Sequence, residues 1–256
     1  MKKIIIILIV VLALFISCSK EDNSINSSGT VTTANKKAAG SSSNDLLSDK
    51  IFTSLVVEVV YVQGFEPSTT AINNLVSFFT ARAYKPNGIS VLKRAIPSTG
   101  KATFTDNEIV AIEDANRTKY NTSNQIAVWV FFTDGKSSTD TSTAVILGTA
   151  YRNTSLVIYE KTVQSLSDSP FEPNRSLLET TVITHELGHI LGLTNLGTPL
   201  QSNHEDTAHP KHCNLESCLM YWSSESGKGI TNMVSGGSAP QLDAQCLADL
   251  RANGGK

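Results

Sequence analysis

Residues 177–192 read LLETTVITHELGHILG, and the reading of this stretch decides the fold. An apolar run rich in Leu and Thr predicts a helix over 177–191. The run ends in His185-Glu186-Leu187-Gly188-His189. Helical residues four apart share a face, so both imidazoles reach one metal ion from the same side. The carboxylate between them lies near that ion without having to bind it. Two neutral nitrogen ligands, an open position for water and an adjacent base are the parts of a zinc hydrolase.

Working outward, Gly192 stands where a left-handed residue ends a helix. His185-Glu186-x-x-His189-x-x-Gly192 resembles the opening of the metzincin signature. That resemblance implies a third ligand past the glycine and a methionine turn beneath the metal. In most of that family the third ligand lies three residues past the glycine, where this chain has Asn195, a poor zinc ligand. A second stretch, His212-Cys213-x4-Cys218-Leu219-Met220-Tyr221, is similar to the H-C-x4-C-x-M segment of archaemetzincins. The resemblance implies His212 as third ligand, Met220 as the turn methionine, and residues 193–211 as an insertion. The insertion carries His204, Glu205, Asp206 and His209. Asn195, His204, Asp206 and His209 therefore stay open as alternative ligands. His204, Glu205 and Asp206 would also suit a second cation such as calcium; otherwise the loop histidines are solvated or touch substrate. In some metzincins a tyrosine two residues past the methionine stabilises an oxyanion. Trp222 holds that place here, so Tyr221 is read as structural.

The same resemblance implies a second zinc on four cysteines. The domain carries only Cys213, Cys218 and Cys246 and lacks the closing Cys-x-x-Cys, so no four-cysteine site is expected. Outside the cytoplasm, Cys213 and Cys218 are expected to form a disulfide, with Cys246 left odd or paired with one of them.

Upstream, Phe52 to Gln63 alternates as a strand, Pro67 opens a helix to about Ala83, and Ile89 to Ile96 is a second strand. Asp106 starts a helix to about Tyr120. Gln125 to Thr133 is a buried strand, and Ala144–Tyr151 and Ser155–Glu160 follow as a pair. A last helix covers about Gln241 to Ala252. The fold class expected is α+β, a metzincin-like mixed twisted sheet covered by helices, with a zinc-binding helix, a Met-turn and a C-terminal helix. Ser155–Glu160 is the expected edge strand for an extended peptide.

At the N-terminus, Lys2 and Lys3 precede an apolar stretch from Ile4 to Ile16, then Ser17 and Cys18. This reads as a secretory signal that is too short to span a bilayer comfortably. Leu14-Phe15-Ile16-Ser17-Cys18 resembles a bacterial lipobox, although Phe15 stands where Leu is usual. It implies an acylated Cys18 and a lipid anchor in the cell envelope, periplasmic or surface-exposed on the outer membrane. The domains expected are a signal peptide over 1–17, the lipidated cysteine and a flexible polar tether over 18–49, and a peptidase domain over 50–256. A net charge of −2 without a basic run gives no support for nucleic-acid binding. No latency device is evident beyond the insertion, which would restrain the site if it lay over the cleft.

These observations imply a membrane-anchored, monomeric zinc endopeptidase acting on peptides or proteins. It would hold one catalytic Zn2+, with Glu186 as general base. Two rivals remain: a non-catalytic binding lipoprotein on a metzincin scaffold, and a zinc-scavenging lipoprotein that would hold several exchangeable ions.

Overall fold

The helix expected over 177–191 runs from Arg175 to Ile190 in the computed structural model, which describes residues 32–226 and 237–256. The signal, lipobox and Cys18 readings fall on residues 1–31 and lie outside those described. Asn174 caps this helix by accepting a hydrogen bond from the Ser176 amide. From Leu178 to Ile190 every residue is buried, as befits the central helix of the molecule. Among the described residues no helix is long and apolar enough to cross a membrane.

The elements in chain order are α1 (Ser43–Leu47), β1 (Ser54–Val62), α2 (Thr69–Arg82), β2 (Ile89–Ile96), β3 (Thr103–Phe104), α3 (Asp106–Asn116), β4 (Gln125–Phe132), β5 (Lys136–Ser137), β6 (Gly148–Arg152), β7 (Ser155–Ile158), α4 (Glu160–Ser165), α5 (Arg175–Ile190) and α6 (Ala244–Ala252). Short 3-10 turns cover Thr33–Asn35 and Trp222–Glu225. Five strands form one sheet in the order β2-β1-β4-β7-β6. The first four are parallel and β6 alone runs antiparallel. Strands β3 and β5 make a separate short pair.

Both faces of this sheet are covered. Leu55, Val57 and Val59 of β1 join Leu75 and Phe79 of α2 and Val182 and Leu187 of α5 in the larger core. Val60, Val62, Trp129, Phe131 and Ile109 of α3 pack on the opposite face. A mixed sheet with covering helices, the expected class, is what the chain forms.

Two expectations are corrected. Ser155–Glu160 is not the edge: β7 lies between β4 and β6 and is buried at all four positions. The edge on that side of the sheet is β6, whose antiparallel course follows from its tight connection to β7 through Asn153 and Thr154. The tether also ends earlier than residue 49. Leu46 and Leu47 are fully buried, as is Asn35. The Asn35 amide donates to Asn121 Oδ1 at 2.8 Å, Thr154 Oγ1 at 3.0 Å and the Ala127 carbonyl at 3.1 Å. Few apolar side chains mark this segment, yet these partners hold it against β4 and the β6–β7 turn.

Candidate metal centre

Helix α5 presents His185 and His189 one turn apart, with their Nε2 atoms 3.1 Å apart. Their orientation is fixed from behind. His185 Nδ1 donates to the Leu219 carbonyl at 2.7 Å, which leaves Nε2 free as a ligand. Gly192, at φ +77°, then turns the chain out of the helix, and a Cβ there would meet the Thr198 amide nitrogen at 2.6 Å.

His212 arrives from the far end of the insertion. Its ring lies 5.4 Å from that of His185 and 5.2 Å from that of His189, centroid to centroid. Its Nδ1 faces the Pro210 carbonyl at 3.1 Å. The structure thus brings His185, His189 and His212 together and leaves the other candidates elsewhere. His204 is buried against Asp249, Nε2 to Oδ2 2.7 Å. His209 bonds Asp206 at 2.7 Å and stacks on Trp222. The Asn195 amide donates to Glu205 at 3.0 Å. His204, Glu205 and Asp206 each face a different partner, so they form no joint cation site. The middle of the insertion docks on α6, with the Gln201 amide donating to Asp249 Oδ1 at 2.7 Å, rather than lying over the cleft.

Glu186 is fully buried, and neither carboxylate oxygen has a well-formed hydrogen-bond partner. Burial, reinforced by the nearby Glu225 carboxylate, pushes its pKa well above the carboxylate range. Burial brings His189 down to about 4, so it is neutral at pH 7. His189 Nδ1 and His212 Nε2 are buried without hydrogen-bond partners. His189 faces the cluster through Nε2, so of these two it is the orphaned His212 Nε2 that a metal ion there would satisfy.

Sequence reasoning missed Glu225. Its carboxylate faces all three histidines, at 3.5 Å from His185, 3.7 Å from His189 and 3.3 Å from His212, each measured to Nε2. Burial would raise its pKa, but the three imidazoles hold it well below the usual range. Thr149 and Ala150 of the edge strand, Glu186, His189, His212 and Glu225 line a cavity of about 220 Å³, rimmed by Ala39, Leu196 and Lys211. No signal near residue 225 in the sequence points to this placement, because it depends on a long-range approach.

Met220 is fully buried beneath α5, where a Cβ on Gly188 would lie 2.2 Å from its Sδ. Tyr221 does not line the cavity.

The cysteines differ from expectation. Cys213, Cys218 and Cys246 are free thiols, and Cys218 Sγ lies 3.7 Å from Cys246 Sγ, far beyond a disulfide bond. Asp243 completes the group, with its Oδ2 3.4 Å from Cys213 Sγ. An Asp-x-x-Cys pair thus stands where the expected closing Cys-x-x-Cys was missing, and four side chains converge after all. Hydrogen bonds from Cys213 and Cys246 pull the Cys218 thiol down to about 4. The 3.7 Å spacing of the Cys218 and Cys246 sulfurs suits a tetrahedral ion with bonds of about 2.3 Å to sulfur.

No protein-family model and no curated protein matches the sequence. Among solved structures, the chain is similar to the archaemetzincin from Methanopyrus kandleri, with a TM-score of 0.52 and 17% identity over 78% of this chain and 96% of that one. It also aligns with metalloproteinase-II from Bacteroides fragilis at a TM-score of 0.42 and 12% identity, over 81% of this chain and 54% of that one. The first likeness shows that this chain has the fold of the archaemetzincin.

Proposed function

We propose that this chain is a zinc-dependent endopeptidase, anchored by a lipid on Cys18 in a bacterial cell envelope. The observation that carries the reading is the convergence of three histidine Nε2 atoms beside a buried, unpartnered Glu186 on one helix. His185, His189 and His212 would hold the ion. Zinc bound there polarises a carbonyl and lowers the pKa of water from about 16 towards 7.

Glu186 does the proton work. A carboxylate held between the two histidines on α5 is placed to take a proton from water and return it to the leaving amine. The substrate lies extended along β6, whose outer edge has no neighbouring strand among the described residues and borders the cavity at Thr149 and Ala150. Met220 supports α5 from below and touches no substrate. In the same reading Cys213, Cys218, Asp243 and Cys246 hold a second, structural ion. This departs from four cysteines by one carboxylate. Because Cys213 follows His212 directly, that ion also fixes the third ligand.

The zinc-scavenging rival loses support, since His204 and His209 are bound to Asp249 and Asp206. The binding-module rival gains one observation, the Glu225 carboxylate beside the histidines. The deciding experiment uses the intact chain, wild type beside Glu186→Ala and His212→Ala. Metal content and cleavage of unfolded protein are measured together. Zinc retained in Glu186→Ala with turnover lost, and histidine-site zinc lost in His212→Ala, is the expected result. A Glu186→Ala chain that still cleaves would end the reading.

A further inference from the structure

Four ligand atoms around a tetrahedral zinc ion with bonds of about 2.0–2.1 Å stand about 3.3–3.4 Å apart. The His185–His189 nitrogen pair measures 3.1 Å, and the Glu225 oxygens stand 3.3, 3.5 and 3.7 Å from the three imidazole nitrogens. The Glu225 carboxylate therefore stands as a group at the fourth corner, Oε2 toward His185 and His189 and Oε1 toward His212. In zinc hydrolases that corner is left for water, whereas sites with four protein ligands are closed.

The backbone around Glu225 is placed like a peptide at the cleft. The Leu147 amide donates to the Glu225 carbonyl at 2.9 Å. Ser226 bridges Ile146 in antiparallel sense, just before the start of β6 at Gly148. The segment after Met220 thus pairs with the approach to the edge strand and points an acidic side chain at the histidines. The side chain of Glu225 is still 24% exposed, so it can leave without unfolding the core.

We infer that Glu225 is a fourth metal ligand that closes the site against water, making residues 222–226 an inhibitory segment within the chain itself. This rests on the metallopeptidase reading above. Activation then requires this segment to be displaced by a competing occupant of the β6 approach, either an extended peptide substrate or a protein partner.

The test uses the intact zinc-loaded chain as wild type, Glu225→Ala, the isosteric Glu225→Gln and His185→Ala. Zinc that is lost in His185→Ala defines the histidine-site ion. Acetohydroxamate, a small chelating zinc ligand, is titrated by calorimetry, and zinc retention is measured against a competing chelator. A closed site lowers apparent affinity by the fraction that is open. Both Glu225 variants should bind acetohydroxamate about tenfold or more tighter than wild type, yet release the histidine-site zinc more readily. Opposite movement of the two readouts separates ligand loss from damage to the fold, which would weaken both. Wild type and Glu225→Gln alike in both would overturn the inference and leave the peptidase reading standing. A wild-type chain with no histidine-site zinc would sink both, before any hydroxamate is added.

Discussion

Replacing Gly188 with Ala tests whether Met220 is pressed against the zinc helix. Two effects oppose each other. Alanine in a helix interior is favoured over glycine by about 1 kcal/mol. The added methyl, however, would lie 2.2 Å from Met220 Sδ, 3.0 Å from its Cε and 3.5 Å from Leu193 Cδ1. Ordinary contact is about 3.5–4.0 Å, so the sulfur must retreat by more than about 1 Å. Met220 and Leu193 are fully buried, and a close-packed core has little room for this. Overpacking of this kind costs about 1–3 kcal/mol. The steric cost wins, and Gly188→Ala should be destabilised by about 1 kcal/mol net. Met220→Ala alone should cost about 2–5 kcal/mol through the cavity it leaves. In the double variant the new methyl enters that cavity, so the loss should fall short of the sum by about 1–2 kcal/mol. Denaturant unfolding of the four proteins at one fixed free-zinc concentration measures the cycle, because bound zinc adds to apparent stability. Retreat of Met220 also moves its neighbour Leu219, whose carbonyl orients His185, so zinc affinity should fall with stability. A Gly188→Ala protein stabilised by about 1 kcal/mol, with additive singles, would refute the packing role of Met220.

Other outcomes follow from the same geometry. Burial and the neighbouring Glu179 raise Glu160 from 4.5 to about 9. Folded Glu160 then holds its proton more tightly than the unfolded chain does. Its contribution is complete below pH 4.5, declines by at most about 1.4 kcal/mol per pH unit as pH rises, and is gone above about 9. Glu160→Gln should flatten this decline in unfolding curves, and an unchanged slope would mean that Glu160 is already ionised in the fold. Cys246→Ser should lower zinc content from about two ions per chain to about one. Asp243→Asn should weaken the same ion while keeping the α6 cap that Asp243 supplies to the Cys246 amide; equal zinc content in all three proteins would remove the second site. Asn35→Ala strands buried partners on β4 and the β6–β7 turn and should cost about 1–3 kcal/mol. A neutral result in thermal unfolding would return residues 32–48 to the tether.

The helix that carries His185 and His189 was legible because its signals are local: an apolar run, two histidines one turn apart, and Gly192 at its end. The strand–helix alternation was legible for the same reason, and β1, β2 and β4 end within a few residues of the expected bounds. Strand position was not. The four residues of β7, Ser155-Leu156-Val157-Ile158, make a short, mostly apolar run, and such a run reads alike whether it lies at an edge or in the middle. Asp243 was hidden because the last helix was expected to start at about Gln241, which put Asp243 inside it rather than at the cap it supplies. Glu225 and Asn35 carry no local signature, because their partners lie tens of residues away.

The early start of the folded domain bears on where a lipid-anchored form could work. The described chain begins at Thr32, so at most thirteen residues separate Cys18 from the domain. Fully extended, thirteen residues reach at most about 45 Å. In the proposed lipid-anchored form, a cleft on so short a leash would stay in a shell close to the bilayer. Were the proposed anchor and activity both present, the targets within reach would be proteins in the same leaflet or chains emerging from it.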